Sequence, residues 1–449
     1  MPYTQTTLDG LSQQLGILLD DTSGLFWTTP EKYLAIQEGL LLFGGLSAYW
    51  RQRGAIPIAA ASPSPWIDLS VSLPLLRART WTLGQMVQQI QFALNEAAPG
   101  GAAGLAGTGM SGQVTISDIL QCIQLARQRF VIDCALPLSI HNVFGSPPPP
   151  EGLITFDQSC VYCHRVSWMD TYSGVWTNLW REDAWSVDKS SPDWTLKPGP
   201  PQQFSEAELA PLQLQLSPPP QNTGSLEALT VDSLQMDLTD PNALLQIPDE
   251  WVHAVKYAAL SQLLGGGGQI IDQLREDYAE QRYLGIVEAA RSARSVVRLM
   301  VNNVPVPIDS LQALDASTPN WRNQPVDLTL PGTSIGVLYD LLAFPPLLYP
   351  VGTTVDVVAS CPIPTDPAGF IPLGSEDIQV LVDYCAHVLM FKCGGNEFKS
   401  TFSSYDRWIK NAALRNRINQ VKIRYLDPLL GQPERESAAR PDRMEPANA

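Results

Sequence analysis

The sequence predicts an α+β fold. Long stretches with apolar residues at helical spacing occupy both ends and the middle of the chain. Between them lie two runs of short alternating segments broken by Pro and Gly, one over roughly 153–233 and a smaller one over roughly 326–359. The expected architecture is a helical bundle with long helices, an inserted antiparallel β-sandwich or barrel, and a smaller second β unit. The expected division is a mainly helical region at 1–145, a β-rich domain at 146–245, a long helical region at 246–305, a smaller β-like region at 306–373, C-terminal helices at 374–430 and a disordered tail at 431–449.

In chain order, Thr29-Pro30-Glu31 is a helix start, with a hydroxyl to cap, a proline suited to the first turn and an acid at the positive dipole end. This helix is expected to run to Trp50. Ser117 and Asp118 open a second, with Ile119, Ile123, Ala126 and Phe130 in one stripe, ending near Cys134 to Leu136. The proline run within 145–151 can sustain neither helix nor central strand and is expected to be a stiff connector. Beyond it, Leu153–Asp157, Cys160–Trp168, Val175–Val187, Leu212–Leu216 and Ser225–Val231 have strand character.

Helix resumes at Asp249, with Trp251, Val255, Ala258, Ala259 and Leu263 on one face, and ends in the four glycines 265–268. Residues 269–299 are expected to form a single helix of roughly 45 Å at about 1.5 Å per residue. Val326–Leu330, Leu338–Phe344 and Thr354–Ala359 are expected strands. Ser375 opens a helix stopped by Gly394-Gly395. The order of Pro-rich turn, strand, Ile-Pro and helix occurs twice, at 216–248 and 344–372, which suggests a degenerate duplication.

Composition narrows the function. With 45% hydrophobic and only 16% charged residues, the surface must carry much uncharged area, as oligomer interfaces do. Forty-five acidic against 29 basic residues give a net charge of −16, which disfavours general affinity for nucleic acid. No basic residue precedes Lys32 and no early apolar run is present, so no signal peptide and folding in the cytoplasm are expected. The apolar runs are too short to span a membrane. Seven dispersed cysteines do not suggest a disulfide framework.

Cys160-Val161-Tyr162-Cys163-His164 matches the haem-attachment pattern, but no export signal accompanies it, and no second Cys/His pair lies at zinc-finger spacing. A plain strand is expected there, with no catalytic residue, metal or cofactor anywhere. Four histidines lie far apart, and no nucleophile-elbow motif is present. Glu182 and Asp183, adjacent on an expected strand, point to opposite faces and so do not make a paired-carboxylate site. Tryptophans at 168, 176, 180, 185 and 194 either fill a small sandwich or anchor a sugar or protein partner. Arg407, Lys410, Arg415, Arg417, Lys422 and Arg424 make a basic C-terminal helix, a solvated face or a docking surface.

Taken together, several segments resemble the neck or head-to-tail adaptor (connector) proteins of tailed bacteriophages. They are Phe26-Trp27-Thr28-Thr29-Pro30-Glu31 leading to Tyr49-Trp50-Arg51, Trp180-Arg181-Glu182-Asp183 with Gly199-Pro200-Pro201, and the 216–224 turn. Ile247-Pro248-Asp249-Glu250-Trp251, the Asp277-to-Tyr283 helix and the Tyr384-to-Lys392 helix complete the set. The resemblance implies a homo-oligomeric ring in the virion, assembled in the host cytoplasm, that binds the portal protein and the next tail component and lets genomic DNA pass. It implies no cofactor and no membrane. Trp27, Trp50, Trp180, Trp185 and Trp251, with the six basic residues of the terminal helix, are the candidate partner and ring contacts. Another tail or baseplate component, or a Trp-rich carbohydrate-binding module, are the alternatives.

Overall fold

The computed structural model describes residues 6–47, 50–57, 66–74, 77, 79–94, 114–143, 153–157, 159–190, 192–206, 212–232, 236–265, 272–292, 296–301, 304–318, 321–323, 334–344, 354–360, 369–371 and 373–426, the last eleven as helical backbone only. The chain runs α1 (Leu8–Leu18), α2 (Thr29–Ser47), β1 (Arg51–Pro57), β2 (Trp66–Asp68), α3 (Leu69–Ser72), α4 (Leu83–Leu94), α5 (Ile116–Cys134), β3 (Leu138–Val143), β4 (Leu153–Thr155), β5 (Cys160–Asp170) and β6 (Trp176–Arg181). It continues through α6 (Ala184–Ser190), β7 (Gln203–Glu206), β8 (Gln213–Ser217), β9 (Gly224–Asp232), α7 (His253–Gly265), α8 (Gln273–Ser292), β10 (Val296–Val301), β11 (Val304–Val306) and β12 (Ile308–Ser310). Last come α9 (Leu311–Ser317), β13 (Ile335–Leu338), β14 (Leu341–Ala343), β15 (Thr354–Ser360), α10 (Ser375–Met390), α11 (Gly395–Ser400) and α12 (Phe402–Leu426). The fold is α+β, and no helix among the described residues is long and apolar enough to cross a membrane.

Three bodies of structure follow from how apolar surface is shared. The helical body packs α1, α2, α4, α5, α7, α8, α10 and α12 around one core. Its centre is α7, where every residue from His253 to Leu260 is buried, as expected of a helix surrounded by others rather than striped on one face. A small sandwich is built from two four-stranded sheets, β1-β15-β10-β11 and β12-β13-β14-β2, whose inner faces share Ile56, Leu299, Val301, Ile335, Leu342, Val355 and Val357. A seven-stranded sheet, β3-β9-β5-β6-β7-β8-β4, curls so that its far strand β8 and its central strands β5 and β9 bury side chains in one core with Trp168 and Phe204. Trp66, Val131, Leu229, Trp321 and Leu341 weld the sandwich to this half-barrel and to α5.

Several expected boundaries shift for identifiable reasons. Helix α2 begins at Thr29 with Thr28 as its cap, because Glu31 accepts from the Thr28 backbone N–H at 2.6 Å and from its hydroxyl. Helix α5 is capped by Thr115, which exchanges hydrogen bonds with Asp118 in a capping box. The expected 269–299 helix is shorter. Helix α8 ends at Ser292, and the β-branched run from Val296 pairs with β15 instead, because the sandwich supplies a partner strand. The Val175–Val187 strand is β6 followed by α6, so Glu182 and Asp183 lie in a turn and not on a strand. Helix α10 ends at Met390, and Gly395 starts α11 instead of stopping the helix before it. Strands β1, β2 and β3 lie in the stretch expected to be mainly helical; β1 and β2 complete the sandwich, and β3 is an edge of the half-barrel. The proline connector, the 266–268 glycines, the 326–330 strand and the 431–449 tail lie outside the described residues.

Candidate functional site

Part of the sparse charge of this chain is buried in tight clusters. Glu38 of α2 is enclosed in the helical body, where it accepts from Lys256 Nζ at 2.5 Å, from the Tyr257 hydroxyl at 2.6 Å and from the Tyr384 hydroxyl at 3.1 Å, with Arg282 Nη2 at 3.4 Å. Burial alone would raise its pKa, but Lys256, His253 and Arg282 more than offset that and hold the carboxylate well below its usual range. A second hub sits where body and sandwich meet. Arg77 donates to Asp340, in the β13–β14 turn, and to Glu250, each at 2.6 Å, and Trp251 Nε1 donates to the Tyr339 hydroxyl at 2.8 Å. A third joins sandwich to half-barrel, where Trp66 Nε1 donates to Glu227 Oε1 at 2.6 Å and Arg322 pairs with the same oxygen at 2.8 Å. Each hub leaves little tolerance for movement, since separating its partners strands a buried charge.

The sequence-predicted contact residues divide sharply against this frame. Trp27 and Trp251 are core residues. Trp27 donates its indole N–H to the Leu389 carbonyl at 3.0 Å, and Trp251 is sealed beneath Tyr339, so neither offers surface to a partner. Trp50 is half-buried, edge-on to Phe43 at 5.6 Å. Trp180 and Trp185 are different, 76% and 81% exposed, as are Leu196 at 79% and Tyr172 at 94%. All four lie on the segment running from the β5–β6 turn to the entry of β7. Trp168 and Trp194 of that unit are buried, Trp194 with its indole held by Asp188.

The basic helix is partly neutralised within the chain. Arg407 pairs with Asp383 at 3.1 Å and Arg415 with Asp377 at 3.2 Å, both acids on α10, while Lys410 is exposed. These pairs seat α12 against α10, and Trp408 stacks between Phe43 and Tyr384. Arg417, Lys422 and Arg424 continue the helix, their side chains outside the described residues.

Among the described residues, the cavity beside the Glu38 hub is small. At about 40 Å³, lined by Trp27, Glu31, Glu38, Gln89, Lys256 and Lys392, it is far below the about 300–1,000 Å³ of small-molecule sites. His253 is pushed down to about 4 by burial and His387 to about 3 by burial and Arg282, so both are neutral core groups. The half-barrel holds a polar cluster that the sequence did not announce. His141 of β3 approaches Asp232 Oδ2 at 3.2 Å and Cys160 Sγ at 3.6 Å, both through Nε2. His164, the histidine of the Cys-x-x-Cys-His motif, is exposed and takes no part. The signal for the cluster was spread over 91 residues of sequence and became visible only through the β3–β9–β5 pairing. No family model matches the chain, and no curated protein matches it.

Proposed function

We propose that this protein is a structural, non-enzymatic component of a tailed-phage virion, a neck or adaptor subunit that forms a homo-oligomeric ring joining the portal to the next tail component. The observation that carries this reading is the exposure of Trp180, Trp185, Leu196 and Tyr172 along one segment of the half-barrel. Large apolar side chains left exposed along one segment support an interaction surface there. A frame locked by three buried charge hubs suits a load-bearing subunit, and ring contacts between unlike faces need such a rigid protomer. The net charge of −16 supports passage of DNA without retention.

The test is the solution mass of the full chain by light scattering, alone and with a portal protein. A ring-sized species, or one that appears with the portal, is expected, and replacing Trp180 and Trp185 together by Ala should reduce assembly while the unfolding free energy stays within about 0.5 kcal/mol of the parent. A strict monomer that ignores the portal ends the adaptor reading. The same monomer with glycan binding that the double variant abolishes would establish the carbohydrate-binding alternative, which exposed tryptophans also suit.

A further inference from the structure

We propose that His141, Cys160 and Asp232 form a zinc site on the half-barrel, with water at the fourth position. Among the described residues these three form a group whose ligand atoms all lie within 4.8 Å of one another. They come from three neighbouring strands. Cys160 of β5 stands opposite Asp232 of β9, and a bulge just after Cys160 re-aims its side chain. His141 projects from β3 on the other side of β9, two residues from Ser139, which hydrogen-bonds Asp232.

The geometry favours a cation over a hydrogen-bonded relay. In a Cys-His-Asp catalytic arrangement the thiol and the carboxylate use opposite ring nitrogens. Here Cys160 Sγ and Asp232 Oδ2 both converge on Nε2 of His141. A single ring nitrogen has one proton or one lone pair along its axis, so it cannot serve both neighbours well; the Cys160 thiol also donates to the Thr230 hydroxyl at 3.9 Å, whereas an ion among the three atoms serves all of them. The separations also fit. Tetrahedral zinc with Zn–N near 2.0–2.1 Å, Zn–O near 2.0–2.2 Å and Zn–S near 2.3 Å places N and O about 3.3 Å apart and N and S about 3.5 Å apart. The observed values are 3.2 Å and 3.6 Å.

The donor set selects the metal. A thiolate disfavours magnesium and calcium, and the mix of imidazole, thiolate and carboxylate suits zinc. The second layer is in place as well, since Thr230 donates to Asp232 Oδ1 at 2.6 Å and leaves Oδ2 facing His141. An ordinary cysteine is a thiol at neutral pH, so binding breaks the Cys160 S–H bond, forms an S–Zn bond and releases one proton to solvent, with no change in oxidation state. The ion would pin β3, an edge strand and the chain's entry from α5, to the two central strands of the half-barrel.

The experiment strips the full-length protein with a chelator and titrates zinc against a chromophoric competitor, then repeats the loading with cobalt(II). One zinc per chain is expected, and the cobalt form should show a thiolate-to-metal charge-transfer band. Cys160→Ser should remove that band, and His141→Ala should weaken binding at least about 100-fold, at the upper end of what loss of supporting groups alone costs. His164→Ala should leave affinity unchanged, because that residue is exposed and outside the cluster. Absence of stoichiometric zinc binding, or a cobalt complex of the parent protein without a thiolate band, overturns the proposal and leaves a metal-free hydrogen-bonded cluster; the second readout needs no variant to fold.

Discussion

Glu38 sits between Lys256 and Arg282 with neutral His253 beside it, and removing its carboxylate would leave the two buried cations facing one another. Glu38→Ala is therefore expected to destabilise the protein by about 3–5 kcal/mol, read as a lowered urea midpoint. The same group of residues sets the acid response. His253 and His387 are neutral when folded, with pKa values lowered to about 4 and about 3, so each gains a proton on unfolding at pH values between its ordinary 6.5 and that lowered value. Their contribution is complete above 6.5 and declines as pH falls from there towards those values. Glu38, held below 4.5, contributes above 4.5 and loses that contribution as pH falls further, which is the same direction. Stability should be flat between about pH 7 and 8 and fall below about pH 6 by up to about 1.4 kcal/mol per pH unit for each histidine. Urea midpoints across that range check it, and a midpoint that rises on acidification would contradict it. None of this was legible in sequence. Glu38 lies in what looks like an ordinary helical stretch, and its partners are 218 to 346 residues away. Trp27 and Trp251 show the same limit, since a tryptophan looks alike in sequence whether it faces a partner or the protomer's own core.

Helix starts and the strongly alternating strands were readable, because capping chemistry and side-chain period are local. Helices α2, α5 and α10 and strands β5, β8, β9 and β15 fall where local pattern places them to within a few residues. Short strands whose pairing lies far away were not readable: β1, β2, β3 and β7 gain their structure from partners and not from period. Helix α8 was overextended because Val296 and its neighbours fit a helical stripe as well as a strand, until β15 decided the matter. Element packing also gives a sharp test at Gly39, where α2 crosses α10. A Cβ there would lie 2.6 Å from Leu381 Cδ1 and 3.0 Å from Tyr384 Cδ1. Alanine raises helix propensity by about 1 kcal/mol, yet overpacking costs about 1–3 kcal/mol against well-buried neighbours. Gly39→Ala is expected to give a net loss of stability in chemical denaturation, and a gain would mean that α2 and α10 can separate without cost.

For the whole molecule, the α+β class and the presence of two β units were legible, but how the sandwich is assembled was not. Its strands are drawn from both ends of the chain: β1 pairs with β15 from Arg51 opposite Ser360 to Pro57 opposite Thr354, and β2 pairs with β14. The same interleaving holds in the body, where α1 and α2 pack on α10 and α12. This arrangement has a consequence for the order of events on the ribosome. At about 5–20 residues per second, some 300 residues separating β1 from its partner take roughly 15–60 seconds to emerge. During that interval the first strands have no sheet to join and α2 has no α10 to cover its apolar face. The sandwich and the helical body must therefore stay open until most of the chain has been made, whereas the half-barrel, whose strands all lie within 138–232, is complete long before.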